Sequence, residues 1–117
     1  MDAQAQLRYY KGSPQKVRLV ANAVRGRGVA KALAVLKLTN KRCARDLEKL
    51  LRSAVANLEQ KSPGIDAGKL VLRSITVDKA AAPRGQGRRV RAASMGRRYL
   101  EKHRYSHVTV QVAEREE

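Results

Sequence analysis

The sequence predicts an α+β fold, with helices on one face of a small antiparallel sheet. Three observations predict it. Apolar residues alternate at the beginning of the chain and again near its end, and they recur at helical spacing in between. The order is strand, three helices, strand, basic segment, strand. At 117 residues there is material for one domain, spanning 1–117. Four tyrosines are the only aromatic residues, so the core must be built from Val, Leu, Ile and Ala.

Residues 3 to 10, "AQAQLRYY", place Ala3, Ala5, Leu7 and Tyr9 on one face of a strand and Gln4, Gln6, Arg8 and Tyr10 on the other. "GSP" ends the strand and opens a helix, with Ser13 as N-cap and Pro14 at the first helical position. Val17, Val20, Ala21 and Val24 form its apolar face. "RGRG" breaks it, and a short second helix carries Val29, Ala32, Leu33 and Leu36. Thr39 or Asn40 is expected to cap a third helix of roughly 20 residues, about 30 Å long. Its stripe is Cys43, Leu47, Leu50, Leu51, Ala54, Val55 and Leu58, and Glu48 stands four residues before Arg52 in the favourable order. Cys43 reads as a small core residue rather than a reactive thiol. "SPG" stops this helix.

From Lys69 the period becomes two. Leu70 and Leu72 fall out of phase with Ile75 and Val77, which predicts a bulge near Arg73 and Ser74. Val108, Val110 and Val112 mark the last strand. The two late strands are natural partners, yet 29 residues, 79 to 107, link them. That is far too long for a hairpin loop. The segment is either disordered or an extended two-stranded arm, and an arm with legs of about 14 residues would reach roughly 45 Å. The globular part is then 1–78 with 108–117.

Charge dictates the partner. The chain has 26 basic and 10 acidic residues, a formal net charge of +16. Self-repulsion of this size disfavours compaction unless a polyanion is bound. Segment 79 to 107 holds nine Lys or Arg against Glu101 alone, so a quarter of the chain carries half of the excess charge. Its glycines, alanines and serine allow close backbone approach, and its arginine forks suit phosphate. A platform that stacks bases needs aromatic residues this chain lacks, which leaves phosphate neutralisation and shape recognition of structured nucleic acid. With roughly ten phosphates neutralised, the log–log salt slope of binding is about −7 to −9.

The expected contacts are Lys11, Ser13, Lys16 and Arg18 at the first helix start, where free N–H groups and the helix dipole favour an anion. Arg25 and Arg27 of "RGRG" join them. In and after the basic segment they are Arg84, Arg88, Arg89, Arg91, Arg97, Arg98, Lys102, Arg104, Ser106 and His107.

Catalytic and metal chemistry find no support. Gly85 and Gly87 lack the third glycine and strand–turn–helix context of a dinucleotide site. His103 and His107 have helical metal spacing but precede a strand. No catalytic residues, no cofactor and no metal are expected. "MDAQAQLRYY" has no signal-peptide pattern, and no run of about 18 apolar residues suggests a membrane span. The expected location is the cytoplasm.

"SPQKVRLVANAVRG", "SAVANLEQ" and "YSHVTVQV", in this order and spacing, resemble the bacterial type of the large-subunit ribosomal protein twenty-two family. The resemblance covers residues 7 to 77 and 96 to 112. It implies a three-stranded antiparallel sheet with three helices on one face and a long protruding basic β-hairpin, 79–107. It implies a structural protein, not an enzyme, that binds large-subunit rRNA, supports assembly and lines the nascent-peptide exit tunnel with the hairpin tip. By position, Ser13, Lys16 and Arg18 match the helix start that meets rRNA, and Gly96, Arg97, Arg104, Ser106 and His107 match the returning leg. The chain departs from the family pattern between Lys79 and Met95, and the tunnel-facing tip is placed at Arg88, Arg89, Val90, Arg91, Ala92 and Ala93. The implied partners are rRNA, neighbouring large-subunit proteins and the nascent polypeptide, with no membrane and no homo-oligomer. The alternative is a DNA-binding nucleoid protein whose basic β-arms enter the minor groove, with Val90 or Met95 as the wedge.

Overall fold

The computed structural model describes residues 2–81 and 88–115. Strand β1 (Asp2–Lys11) leads into helices α1 (Pro14–Val24), α2 (Val29–Leu38) and α3 (Arg42–Lys61). Strand β2 (Leu70–Ala80) follows, then the short strands β3 (Arg88–Ala92) and β4 (Arg98–Lys102), and last β5 (Tyr105–Glu114). The main sheet is antiparallel with β5 in the centre, in the order β1-β5-β2, and β3 and β4 form a separate two-stranded sheet. The α+β fold is the one the periodicities predict.

The core lies between one face of the main sheet and the helices. Val108, Val110 and Val112 of the central strand are buried beneath α3, while Val17, Val20, Ala21 and Val24 seat α1 against β2. Each fully buried Val or Leu contributes about 1.5–3 kcal/mol relative to exposure. The bulge in β2 is present. Leu72 faces Val112 and Ser74 faces Gln111, so Arg73 is the extra residue and Leu70, Leu72, Ile75 and Val77 all point inward.

A second bulge, in β1, overturns the simple alternation. Leu7 faces Val108 and Tyr10 faces Ser106, so Arg8 and Tyr9 together oppose His107. Tyr9 takes a left-handed backbone (φ 55°) and points outward, and Tyr10 turns in to pack against the core. The expected inward Tyr9 is corrected for that reason. The third helix is also capped differently. Its N-cap is Lys41, and Thr39 instead closes α2, its Oγ1 donating to the Val35 carbonyl at 2.6 Å.

A side chain meets one sheet edge and a backbone loop meets the other. Asn57 of α3 donates to the Gln4 carbonyl at 3.0 Å on the β1 edge. On the β2 edge the amide of Leu72 donates to the Arg27 carbonyl at 3.1 Å, and Gly28 bridges Val71. These contacts partly occupy the edges, which would otherwise template another strand.

Beyond Ala80 the chain leaves the main sheet as a pair of strands. The molecule measures 65 × 27 × 17 Å, with a radius of gyration of 17.5 Å. A compact chain of this length has roughly 13 Å. Of the two options for 79 to 107, the described residues take the extended, paired one.

Candidate nucleic-acid interface

Three strand ends meet where the arm leaves the sheet. Lys11 at the end of β1 and Ala80 at the end of β2 both pair with Tyr105 at the start of β5. Helix α1 begins three residues after Lys11, so its N-terminus is fixed beside the arm's base. Between them lies a cleft of ≈ 550 Å³ lined by Ser13, Gln15, Arg18, Lys79, Lys102 and Arg104 among others. A second cleft of ≈ 450 Å³ shares Lys102, His103 and Arg104 and adds Lys11 and Lys16. Among the described residues, none that lines either cleft is acidic.

The first turn of α1 contains no acid, and Ser13 makes no side-chain cap. The Ser13 carbonyl takes the Val17 amide at 3.1 Å. Pro14 has no N–H, so the positive helix end presents the amides of Gln15 and Lys16 beside the Lys16 ammonium. Such a site stabilises an anion and repels a cation.

Arg18 is anchored at the cleft wall. Its Nε and Nη2 donate to the Val77 carbonyl at 3.1 and 2.8 Å. Its remaining N–H groups are held in a fixed plane. Ser106 needs correction as an rRNA contact. It is fully buried, and its hydroxyl donates inward to the Gly12 carbonyl at 3.3 Å. His107 is half-buried. Its Nδ1 accepts the Tyr9 amide at 3.0 Å, which leaves the ring proton on Nε2. Gly12 is needed for close approach, because a Cβ there would stand 2.9 Å from the Tyr10 ring.

On the arm, β3 and β4 pair Arg88 with Lys102, Arg89 with Glu101, Val90 with Leu100, Arg91 with Tyr99 and Ala92 with Arg98. The chain reverses later than expected. The turn is Ala93–Arg97, closed by the Ala93 amide on the Arg97 carbonyl at 2.9 Å. Met95 (φ 61°) and Gly96 (φ 68°) are both left-handed there, and Met95 is 92% exposed. Arg88 to Ala92 are thus the outgoing leg, Ala93 opens the turn, and Arg97 and Arg98 start the return. The reason is local. A left-handed pair with glycine makes a tight reversal, whereas "RRVRA" has no residue suited to one. Arg84 lies outside the described residues.

Arg25 and Arg27 stand apart from this group, beside the first residues of β2 and about 30 Å along that strand from the arm's base. There Arg27 shares a cleft with Lys31 and Arg115. Sequence reasoning missed Lys79 and His103 in the basal cleft. Lys79 was recognisable as part of the basic segment, but only strand pairing places it opposite α1. Arg115 carries no sequence signal at all.

Among the described residues no group of His, Cys, Asp or Glu is arranged to hold a metal ion, and no helix is long and apolar enough to cross a membrane.

Residues 5–113 match the family described as ribosomal protein L22p/L17e. The chain is 40% identical over 116 residues to the large ribosomal subunit protein uL22 of Solibacter usitatus, spanning 99% of both chains. It is 43% identical over 114 residues to that of Maridesulfovibrio salexigens, covering 97% of this chain and 99% of the relative. With that of Parabacteroides distasonis the identity is 48% over 99 residues, 84% of this chain and 70% of the relative.

Proposed function

The chain belongs to the ribosomal protein L22p/L17e family, and from that premise we propose how it works as a structural, non-enzymatic constituent of the large subunit of the cytoplasmic ribosome. It binds large-subunit rRNA, supports folding of that RNA during assembly, and lines the nascent-peptide exit tunnel with the end of its arm. Neighbouring large-subunit proteins are its other partners, and it acts as one copy.

The acid-free cationic cleft at the base of the arm carries this reading. Lys11, Lys16, Lys102 and Arg104 converge there from β1, α1, β4 and the link to β5. These residues come from separate parts of the sequence, so the fold itself builds the site. Phosphates entering the cleft release counterions and meet the α1 amides. Arg18, already bound to β2, loses little freedom on making a further bond.

The arm extends the same chemistry. Two strands alone are marginally stable in water, so Arg88, Arg89, Arg91, Arg97 and Arg98 gain their order from the RNA that they neutralise. Arg84 belongs to the same segment. The approach from Arg88 to Ala93 and the turn that follows face the tunnel, where Ala92, Ala93, Ser94 and Gly96 keep the end slim. Arg25 and Arg27 hold a separate stretch of backbone at the far end of β2. His107 contributes by holding the β1 bulge at the cleft's rim.

Titration of the intact chain against folded large-subunit rRNA fragments at several salt concentrations tests this. A log–log slope of about −7 to −9 is expected for roughly ten neutralised phosphates. A slope near zero would overturn the electrostatic account.

A further inference from the structure

Resting on the rRNA reading above, we infer that Tyr9 is a stacking shelf for one unpaired nucleobase at the base of the arm. The chain's aromatic content is too low for a base-reading platform, and attention to phosphate alone leaves this residue unexplained. Tyr9 is a large side chain that is 49% exposed. It faces out because the β1 bulge turns its backbone left-handed, at φ 55°. An aromatic residue in that region is unusual and costs free energy, and strain of this kind concentrates at functional sites.

The ring is also held. The Tyr9 amide donates to His107 Nδ1 at 3.0 Å, and the two rings stand edge to face, 4.7 Å between centroids and 84° between planes. The Arg8 guanidinium lies over the ring, 5.6 Å from its centroid. His107 and Arg8 order the side chain in advance while 49% of the residue stays exposed, and a base packs on the part they leave open. A base that lands there loses little entropy to the protein. Tyr9 lies on β1 two residues before Lys11, which lines the basal cleft, so the ring is close enough for a base of a strand bound there to reach it. The helices cover the other face of the sheet.

The charge around the ring selects the occupant. Arg8 over the ring and the cationic cleft beyond favour an anionic polymer with π faces over a neutral protein surface. The base is taken without regard to its identity, since stacking alone reads no edge.

The test uses the intact chain and folded large-subunit rRNA fragments. Tyr9→Phe should bind as the wild type does. Tyr9→Gly keeps the left-handed backbone available and removes the ring. It should bind about five- to a hundredfold more weakly, with the salt slope unchanged because no phosphate contact is lost. Ultraviolet cross-linking of the wild-type complex, read by mass spectrometry, should find a nucleotide adduct on Tyr9. Full affinity in Tyr9→Gly, a loss accompanied by a shallower salt slope, or a Tyr9 cross-link to a neighbouring protein in assembled subunits would each overturn the inference. The rRNA reading would survive any of them, and it fails separately if the wild-type chain does not bind RNA.

Discussion

Two nitrogens of Arg18 donate to the one carbonyl of Val77, Nε at 3.1 Å and Nη2 at 2.8 Å. The contact joins α1 to the outer edge of β2 just before that strand leaves for the arm. An arginine assigned to RNA is therefore also part of the protein's own frame. Arg18→Ala should lower stability by about 1 kcal/mol, since the residue is exposed and partly screened. Arg18→Lys should recover only part of this, because an ammonium cannot reproduce the planar two-donor contact. Chemical denaturation of the three proteins measures both effects.

Tyr10 provides a test by pH. Its hydroxyl donates to Asp46 Oδ2 at 2.7 Å, and burial, followed by that carboxylate, holds the phenol well above its ordinary range. The folded protein keeps this proton where the unfolded chain, titrating near 10, has lost it. Stability from Tyr10 is thus complete below about pH 10 and declines as pH rises beyond it. Tyr10→Phe should be about 1 kcal/mol less stable at neutral pH, and its deficit should shrink above pH 10. A constant deficit across that range would contradict the assignment.

Ser106 separates a structural role from a binding one. Ser106→Ala removes the donor to the Gly12 carbonyl and should cost about 1 kcal/mol by thermal or chemical unfolding. The affinity for rRNA at fixed salt should stay as in the wild type. Weaker binding by the folded Ser106→Ala protein would return Ser106 to the RNA face.

The turn of the arm should respond to its two left-handed residues. Met95→Gly should strengthen pairing of β3 with β4, and Gly96→Ala should weaken it by about 1 kcal/mol. Amide exchange across residues 88–92 and 98–102, measured in the rRNA-bound chain where these amides are protected, reports the change. In the wild-type chain free of RNA this exchange should be close to the unprotected limit, and in the assembled subunit strongly slowed.

Much of this molecule is legible in its sequence, because the helices and the central strand obey clean periods. Val17, Val20, Ala21 and Val24 can be read inward from spacing alone, and the phase change between Leu72 and Ile75 reveals the β2 bulge. The β1 bulge is not legible. Tyr9 and Tyr10 are identical side chains at adjacent positions, and only the pairing with His107 decides which one turns in. Ser106 fails for a related reason, since a serine between Tyr105 and His107 looks solvated until β1 covers it. Thr39 is a good N-cap residue by type, but its hydroxyl found the preceding helix first. The charge of the arm was plain from composition. Its convergence with Lys11 and Lys16 required the register of three strands.

The most direct test of the central claim is sedimentation of the tagged chain with ribosomal particles through a density gradient at moderate salt. The account predicts that the chain travels with the large subunit, and that replacing Lys16, Lys102 and Arg104 together by alanine shifts it toward the free fractions. A wild-type chain running free of the large subunit would contradict it.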